Sequence, residues 1–190
     1  AGLGLLLALA GWRRARPGGG RRGRWMAAVG LVACLPVVVA AAQWKYGELS
    51  YPPINDISTD LEDPPVFWDM PNPTDYPGGE TATLQRAAYP DIVPLTLAVP
   101  PARAHELALA LARENCWKIV ADQPGEGRIE AVASSLLFGF KDEVAIRITA
   151  SDGGSLVDLR SRSRLGRIDR GVNARRIRAF ESTLRKRAGG

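Results

Sequence analysis

The clearest feature of the hydropathy pattern is a run of uncharged residues, 25–44, which reads WMAAVGLVACLPVVVAAAQW. Twenty helical residues at about 1.5 Å rise cover roughly 30 Å, the thickness of a membrane's hydrocarbon core. Trp25 and Trp44 stand at its two ends, where membrane spans carry interfacial aromatic rings. Pro36 would break a soluble helix but is tolerated within a bilayer. The pattern therefore predicts a transmembrane helix, in preference to a buried core helix or a signal peptide.

The residues before this span predict its orientation. Residues 1–12, AGLGLLLALAGW, are apolar but too few to cross alone, so we expect them to be the end of another transmembrane helix. Residues 13–24 carry six arginines and no acid, and the positive-inside rule places such a loop in the cytoplasm. Everything after Trp44 is then expected on the opposite side, which is the periplasm if the membrane is a bacterial inner membrane.

Residues 45–94 form a proline-rich segment, since ten of the chain's fourteen prolines lie between residues 45 and 100. Proline at this density disfavours helix interiors and sheet ladders. Aromatic residues are interleaved with the prolines, which distinguishes the segment from a flexible linker. The composition predicts an extended arm whose rings anchor it along its own domain or along a neighbouring protein. The aromatic candidates for such an interface are Phe67, Trp68 and Tyr76.

From residue 95 the pattern becomes that of a folded domain. Apolar positions recur one helical turn apart in residues 101–115 and 173–187, which predicts two helices. Alternation and turn signals predict strands at 95–99, 117–122, 128–134, 136–149 and 156–164. The order β-α-β-β-β-β-α predicts an α+β domain over residues 95–190, with two helices on one face of an antiparallel sheet. TATA-box-binding-protein-like folds share this order, which is an analogy of architecture and not of function.

Charge is distributed unevenly along the chain. The net charge of the chain is +5. Residues 45–159 contain 8 basic and 18 acidic residues, whereas residues 160–190 contain 11 basic and 2 acidic residues. The high isoelectric point therefore comes from one N-terminal loop and one basic C-terminal segment, and does not indicate nucleic-acid binding.

The basic segment begins with RSRSRLGRIDRGVN, residues 160–173, which poses the question of a binding site. Side chains alternate along a strand, so the even-numbered residues 158–164 share the face opposite Val157 and Leu159. The arginines would then line an open sheet face, where cross-strand ion pairs of about 0.2–1 kcal/mol each explain the residue types. The alternative is a site for a carboxylate, phosphate or lipid headgroup. Its candidate residues are Arg160, Arg162, Arg164, Arg167 and Arg176.

A second polar motif, PPINDISTD at residues 52–60, lies in the arm. Its oxygen-bearing residues make a calcium site conceivable, but the ligand spacing and glycine of an EF-hand loop are missing. Asx turns and helix caps explain the same residues, so no metal is predicted. Opposite charge suggests instead that Asp56 or Asp60 forms a salt bridge with the arginine strand and locks the arm onto the domain. The candidate residues of this contact are Asn55, Asp56, Thr59 and Asp60.

Together with AYPDIVPL at residues 88–95, these two motifs resemble the bacterial domain-of-unknown-function family 1499. The resemblance covers roughly residues 52–184. It implies an often membrane-attached protein without an established activity, and it offers no catalytic roles. The matching positions are Asn55, Asp56, Thr59, Asp60, Pro64, Pro65, Arg160, Ser161, Ser163, Arg164, Gly166, Asp169, Gly171, Asn173 and Arg176.

Little in the chain indicates an enzyme. The single histidine, His105, is expected on the surface of a predicted helix, and Cys116 is expected to be a small buried residue. Nucleophile elbows, phosphate-binding loops, dinucleotide fingerprints and metal clusters are missing, so neither catalytic residues nor cofactors are predicted. A hydrolase that uses carboxylates is the remaining enzymatic alternative. Nucleic acid is not expected as a partner, because the basic segment lacks stacking aromatics and is placed outside the cytoplasm.

Two functions remain. The first is a membrane-anchored structural or accessory subunit, whose partners are the lipid bilayer and other subunits of a membrane protein complex. The second is a periplasmic binding module that holds an anionic lipid or a small anion on its arginine-lined sheet face.

Overall fold

The structure of the protein, a computed structural model, describes residues 21–71 and 75–189. The chain divides into two compact units, residues 1–50 and 51–190, and each is described by itself. The predicted end of a transmembrane helix at residues 1–12 lies outside the described residues, as does most of the arginine-rich loop at 13–24.

The first unit contains helix α1 (Arg21–Ser50), which is thirty residues long. Its apolar part, Ala28–Gly47, has a mean hydropathy of 1.7 and is not buried. Pro36 lies inside the helix, as a membrane-type helix tolerates. The helix is thus long and apolar enough to cross a membrane, and it extends beyond the predicted 25–44 at both ends.

In the second unit the described residues form six antiparallel strands, three α-helices and a short 3-10 helix (Pro124–Glu126). Its elements are β1 (Asp56–Ser58), α2 (Gly79–Ala88), β2 (Leu95–Leu97), α3 (Pro101–Glu114), β3 (Lys118–Gln123), β4 (Arg128–Ser134), β5 (Lys141–Ser151), β6 (Gly154–Ser163) and α4 (Val172–Arg187). The strand order is β1-β6-β5-β4-β3, and β2 also pairs with β6. Strands β1 and β2 lie end to end along one edge of β6, opposite residues 160–162 and 155–157. The predicted α+β class, with an N-terminal apolar helix and an antiparallel sheet, is confirmed.

The core lies between one face of the sheet and helices α3 and α4. Alternate residues of β4, β5 and β6, among them Ile129, Ile146 and Leu159, face the helices and are fully buried. Helix α3 contributes mainly alanines on its buried face, which lets it approach the sheet closely. Helix α4 contributes larger side chains, and its Phe180 ring stacks on Trp117 with 5.1 Å between the centroids. Burial of this sheet face and of the facing sides of the two helices explains the apolar periodicities from which these elements were predicted.

The proline-rich segment 45–94 is not a wholly extended arm. Helix α1 continues through Ser50, residues 56–58 form a strand, and residues 79–88 form helix α2. The reason is the spacing of the prolines, since the sequence GETATLQRAA of α2 contains none and β1 occupies a sheet edge between proline pairs. The segment from Tyr51 onward belongs to the same compact unit as the predicted domain 95–190.

Three local expectations are also wrong. His105 is buried, and its Nε2 lies 2.8 Å from an Asp122 carboxylate oxygen of β3. Cys116 is exposed, because it occupies the left-handed position (φ 57°) just after helix α3 ends. Residues 136–140 form a turn between β4 and β5 in place of the predicted continuous strand.

The carboxyl group of Glu181 on α4 gives the fold a defined pH dependence. Burial raises its pKa to about 7, while the neighbouring Arg185 opposes the shift. A raised pKa in the folded state means that the folded protein binds the proton more tightly than the unfolded chain does. Protonated Glu181 therefore stabilises the folded state in full below pH 4.5. This stabilisation is lost as the pH rises through about 7, where the folded protein releases the proton.

We predict that Glu181→Gln stabilises the protein at pH 8 by about 1 kcal/mol, since the variant removes a half-buried negative charge. At pH 5 the variant and the native chain should differ little, because Glu181 is already mostly protonated there. Urea unfolding of the full chain in detergent at the two pH values measures this. An equal gain at both pH values would show that charge burial is not the cause.

Candidate functional site

The sheet face that points away from helices α3 and α4 carries the charged residues. Residues Asp158, Arg160 and Arg162 alternate with the core-facing residues of β6, as predicted. Strand β5 places Arg147 opposite Asp158 and Glu143 opposite Arg162. The expectation that this face is open is wrong. Residues 60–71, which we term the cover segment, lie across it and exclude water from its centre.

Arg160 lies at the centre of this face and is only 1% exposed. Its Nε and Nη2 donate to the two carboxylate oxygens of Asp56, at 3.0 and 2.8 Å. Its Nη1 donates to the carbonyl oxygen of Pro65 in the cover segment, at 3.2 Å. The bidentate salt bridge between Arg160 and Asp56 joins β6 to β1. It is the predicted salt bridge between the two motifs.

The cover segment is attached to the sheet by charged groups. The Phe67 ring is buried against two guanidinium groups, with Arg160 at 4.8 Å and Arg162 at 4.5 Å from its centroid. The backbone N–H groups of Trp68 and Asp69 donate to the carboxylate of Glu130, which is fully buried on β4. The segment is therefore held in one position, with its odd-numbered residues 65 and 67 facing inward.

A second ion cluster surrounds Arg147 at the edge of the covered face. The guanidinium contacts Asp158 at 3.0 Å, Asp60 at 3.1 Å and Asp63 at 2.7 Å. Burial raises the pKa of Asp158, and the contact with Arg147 opposes this shift. Thr59 completes the cluster, since its hydroxyl donates to Asp158 and accepts from the Leu159 backbone N–H. Asp60 thus pairs with Arg147 of β5 and not with the arginine strand.

Asn55, the first candidate of the arm motif, holds the loop that follows β6. Its side-chain amide donates to the carbonyl oxygen of Gly166 at 2.6 Å. The buried Asn173 side chain donates to the Asn55 carbonyl and accepts from Ser161. Asp169 accepts from two backbone N–H groups at the start of α4, and burial raises its pKa. These residues are therefore scaffold for a turn.

The remaining arginine candidates differ in exposure. Arg162 is buried and pairs with Glu143 at 2.6 Å, while the more exposed Arg164 contacts the other oxygen of the same carboxylate at 2.7 Å. Arg176 lies on the helix side of the sheet and pairs with Asp142 at 2.5 Å. Arg167 is exposed in the loop after β6. The five arginines consequently do not converge on one site.

Gln85 of helix α2 is a site residue that the sequence reasoning missed. Its side-chain amide donates to the Ser58 carbonyl at 2.6 Å and its oxygen accepts from the Ser58 backbone N–H at 3.1 Å. These two hydrogen bonds pair the Ser58 backbone groups on the outer edge of β1, as a neighbouring strand would. The side chain also accepts from the hydroxyl of Tyr76, whose pKa burial raises to about 12. A glutamine in a short polar helix gives no sequence signal for this role.

The buried charges are arranged for internal pairing. In residues 21–71 and 75–189 no cluster of three or more His, Cys, Asp or Glu side chains is placed to hold a metal ion. Two surface clefts, of about 380 and 300 Å³, lie beside Tyr89 and beside Trp68. His105 lines neither of them. The charged side chains of the covered face are therefore engaged with one another and with backbone groups.

Comparison with known proteins agrees with the two motifs. A family model described as "Protein of unknown function (DUF1499)" matches residues 56–184. No curated protein matches the chain. The match begins at Asp56 and includes Arg160, so both partners of the central salt bridge fall within it.

We predict that Asp56→Ala destabilises the folded unit by about 3–5 kcal/mol, since it removes the carboxylate that forms a bidentate salt bridge with the buried Arg160 guanidinium. The matched control is Asp63→Ala, which removes a largely exposed partner of Arg147 and should cost less than about 1 kcal/mol. Urea unfolding of the full chain in detergent, followed by tryptophan fluorescence, measures both. Equal losses in the two variants would contradict a special role for Asp56.

The double variant Asp56→Leu/Arg160→Met tests the same pair from the other direction. It removes both charges and retains side-chain volume, so it should recover much of the stability that Asp56→Ala loses. A double variant as unstable as the single one would show that packing around Phe67 matters more than charge.

Proposed function

Because the chain belongs to the DUF1499 family, whose description assigns no activity, we propose a role from its own geometry: a membrane-anchored accessory subunit of a larger membrane protein complex. In this role helix α1 crosses the bilayer and the folded unit binds another subunit. The observation that carries the proposal is Trp68, a large aromatic side chain that is 68% exposed on a rigid support.

The anchoring part of the proposal rests on composition and charge. Helix α1 has twenty consecutive residues of suitable hydropathy, and the arginine-rich residues 13–24 precede them. By the positive-inside rule those arginines stay in the cytoplasm. The folded unit would then lie on the periplasmic side of a bacterial inner membrane.

The support beneath Trp68 distinguishes it from a mobile surface residue. Phe67 and Met70 on either side are buried, and the Trp68 N–H is held by Glu130 at 2.7 Å. Alternation along the cover segment turns Val66 outward on the same side as Trp68. Tryptophan on a preorganised surface is the residue type that most often dominates binding energy at protein interfaces.

The surroundings of Trp68 also suit a protein partner. The cleft beside it is lined by Pro65, Val66 and Ala145 in its apolar part, with Glu126, Arg128 and Arg147 also on its walls. An apolar centre with charges of both signs around it is the usual composition of a protein–protein interface. In this proposal the cover segment contributes to the interface by forming part of the contact surface, and it does not wrap around the partner.

The alternative of an anion held on the arginine-lined face is less well supported. Arg160 and Arg162 each face a buried carboxylate, so an added anion would have to displace Asp56 or Glu143. No reaction is assigned, since the buried acids of this face are engaged by arginines and backbone N–H groups.

We predict that Trp68→Ser releases the protein from its complex. Loss of a central tryptophan costs an interface about 2 kcal/mol or more, which corresponds to roughly 30-fold weaker binding. The measurement is extraction of native membranes in mild detergent, native gel separation and mass spectrometry of comigrating proteins. The native chain should run in a large complex of fixed stoichiometry, and the variant should run alone with an unchanged melting temperature.

Two further variants serve as controls for this experiment. Trp68→Phe retains most of the ring and should keep part of the binding. Val93→Ser alters an exposed apolar residue beside the other cleft and should leave the complex intact. A native chain that runs alone, or a Trp68→Ser variant that stays in the complex, would refute the proposal.

A further inference from the structure

The turn between β4 and β5 carries four large apolar side chains that the protein does not cover. Leu136 is completely exposed, and Leu137, Phe138 and Phe140 are 81, 72 and 56% exposed. We term residues 136–140 the apolar tip. A contiguous group of exposed leucine and phenylalanine side chains marks a surface that binds a protein or a membrane.

The apolar tip is an ordered turn. The backbone N–H of Ser135 donates to the Phe140 carbonyl at 2.8 Å, and the N–H of Gly139 donates to the Ser135 carbonyl at 3.0 Å. Gly139 adopts the left-handed conformation (φ 64°) that such a turn requires. The Phe138 and Phe140 rings lie 5.7 Å apart. The apolar side chains are therefore presented together at one end of the sheet.

Basic residues lie beside the tip, at the start of β5 and in the loop after β6. Lys141 begins β5, and its carbonyl accepts from the N–H of Arg164 at 3.1 Å, which places the loop after β6 beside the tip. That loop exposes Leu165 and Arg167. Its only acid, Asp169, is buried and engaged by backbone N–H groups. Apolar side chains among cations are typical of a segment that enters the interface of an anionic membrane.

The chain enters the folded unit at the same end of the sheet. Tyr51 is the first residue of the unit, and its hydroxyl accepts from Arg175 at 3.4 Å near the start of α4. The carbonyl of Ile54 accepts from the Asp169 N–H, and Asn55 binds Gly166. Residues 51–55 directly follow helix α1 in sequence, so a chain that leaves a bilayer after α1 reaches this end of the sheet first.

We propose that the apolar tip inserts into the interfacial layer of the membrane that helix α1 crosses, with Arg167 near anionic phospholipid headgroups. The inference rests on the membrane anchoring in the proposed function but not on the partner complex. A bilayer is favoured over a protein as the occupant because the exposed charges next to the tip are basic and because the chain arrives here from α1. Two attachments, α1 and the tip, would hold the folded unit in one orientation.

The test places a fluorescent label on the tip of the full chain. Phe138→Cys in a Cys34→Ala/Cys116→Ala background is labelled with the polarity-sensitive dye NBD and reconstituted into phosphatidylcholine vesicles with and without phosphatidylglycerol. The matched control is Asp152→Cys in the β5–β6 turn, which is exposed at the opposite end of β5, roughly 30 Å away. Doxyl-labelled lipids quench a dye only when it enters the bilayer.

We expect the label at residue 138 to be blue-shifted and quenched severalfold more by doxyl lipids than the label at residue 152. Phosphatidylglycerol should increase this quenching, and Arg167→Gln should reduce the increase. Equal quenching at the two positions would overturn the proposal. It would also be overturned by a label that is unquenched in lipid vesicles but shifted in native membranes, since a protein would then cover the tip.

Failure of this inference is distinguishable from failure of the proposed function. The vesicles contain no partner subunit, so their result does not depend on Trp68. Alkaline carbonate extraction of the same vesicles reports whether α1 anchors the chain. A chain that stays anchored with an unquenched tip overturns only the insertion, whereas release by carbonate overturns the anchor that both proposals need.

Discussion

The guanidinium group of Arg160 is buried in the middle of a sheet, and a charge in that position has to be neutralised where it stands. Asp56 supplies the counter-charge, so strand β1 must pair with β6 rather than leave the domain. Pro65 supplies a carbonyl acceptor and Phe67 a ring face, so the cover segment must lie across the sheet. One charged side chain thus accounts for the position of β1 and of the cover segment around Pro65 and Phe67.

The same kind of pairing explains why Arg160 and Arg162 do not form an outer surface of the protein. Arg162 and Arg147 are also matched by carboxylates, partly from the neighbouring strand and partly from the arm. Because these charges are neutralised internally, the large apolar side chains of the cover segment and of the turns form the conspicuous exposed surfaces. These are Trp68 on the sheet face and the apolar tip at one end of the sheet.

In the proposed role of an anchored accessory subunit, the two surfaces would have separate tasks. The tip and the residues that follow α1 share one end of the sheet, which suits contact with a bilayer. Trp68 lies on the sheet face, where charges of both signs surround an apolar cleft, which suits contact with a protein. A domain held at its membrane end would offer the Trp68 surface in a fixed orientation, which lowers the entropy lost on binding.

The amino-acid sequence by itself determined the elements whose periodicity reflects burial on one side: the apolar helix, the two core helices and the alternation along β6. It also indicated that Asp56 or Asp60 pairs with the arginine strand, because the two motifs carry opposite charges. Only the tertiary structure decided that the arginine face is covered, that His105 is buried against Asp122, that Gln85 completes the edge of β1 and that residues 136–140 turn outward. Each of these depends on what a distant segment does, and local pattern carries no information about coverage by residues tens of positions away.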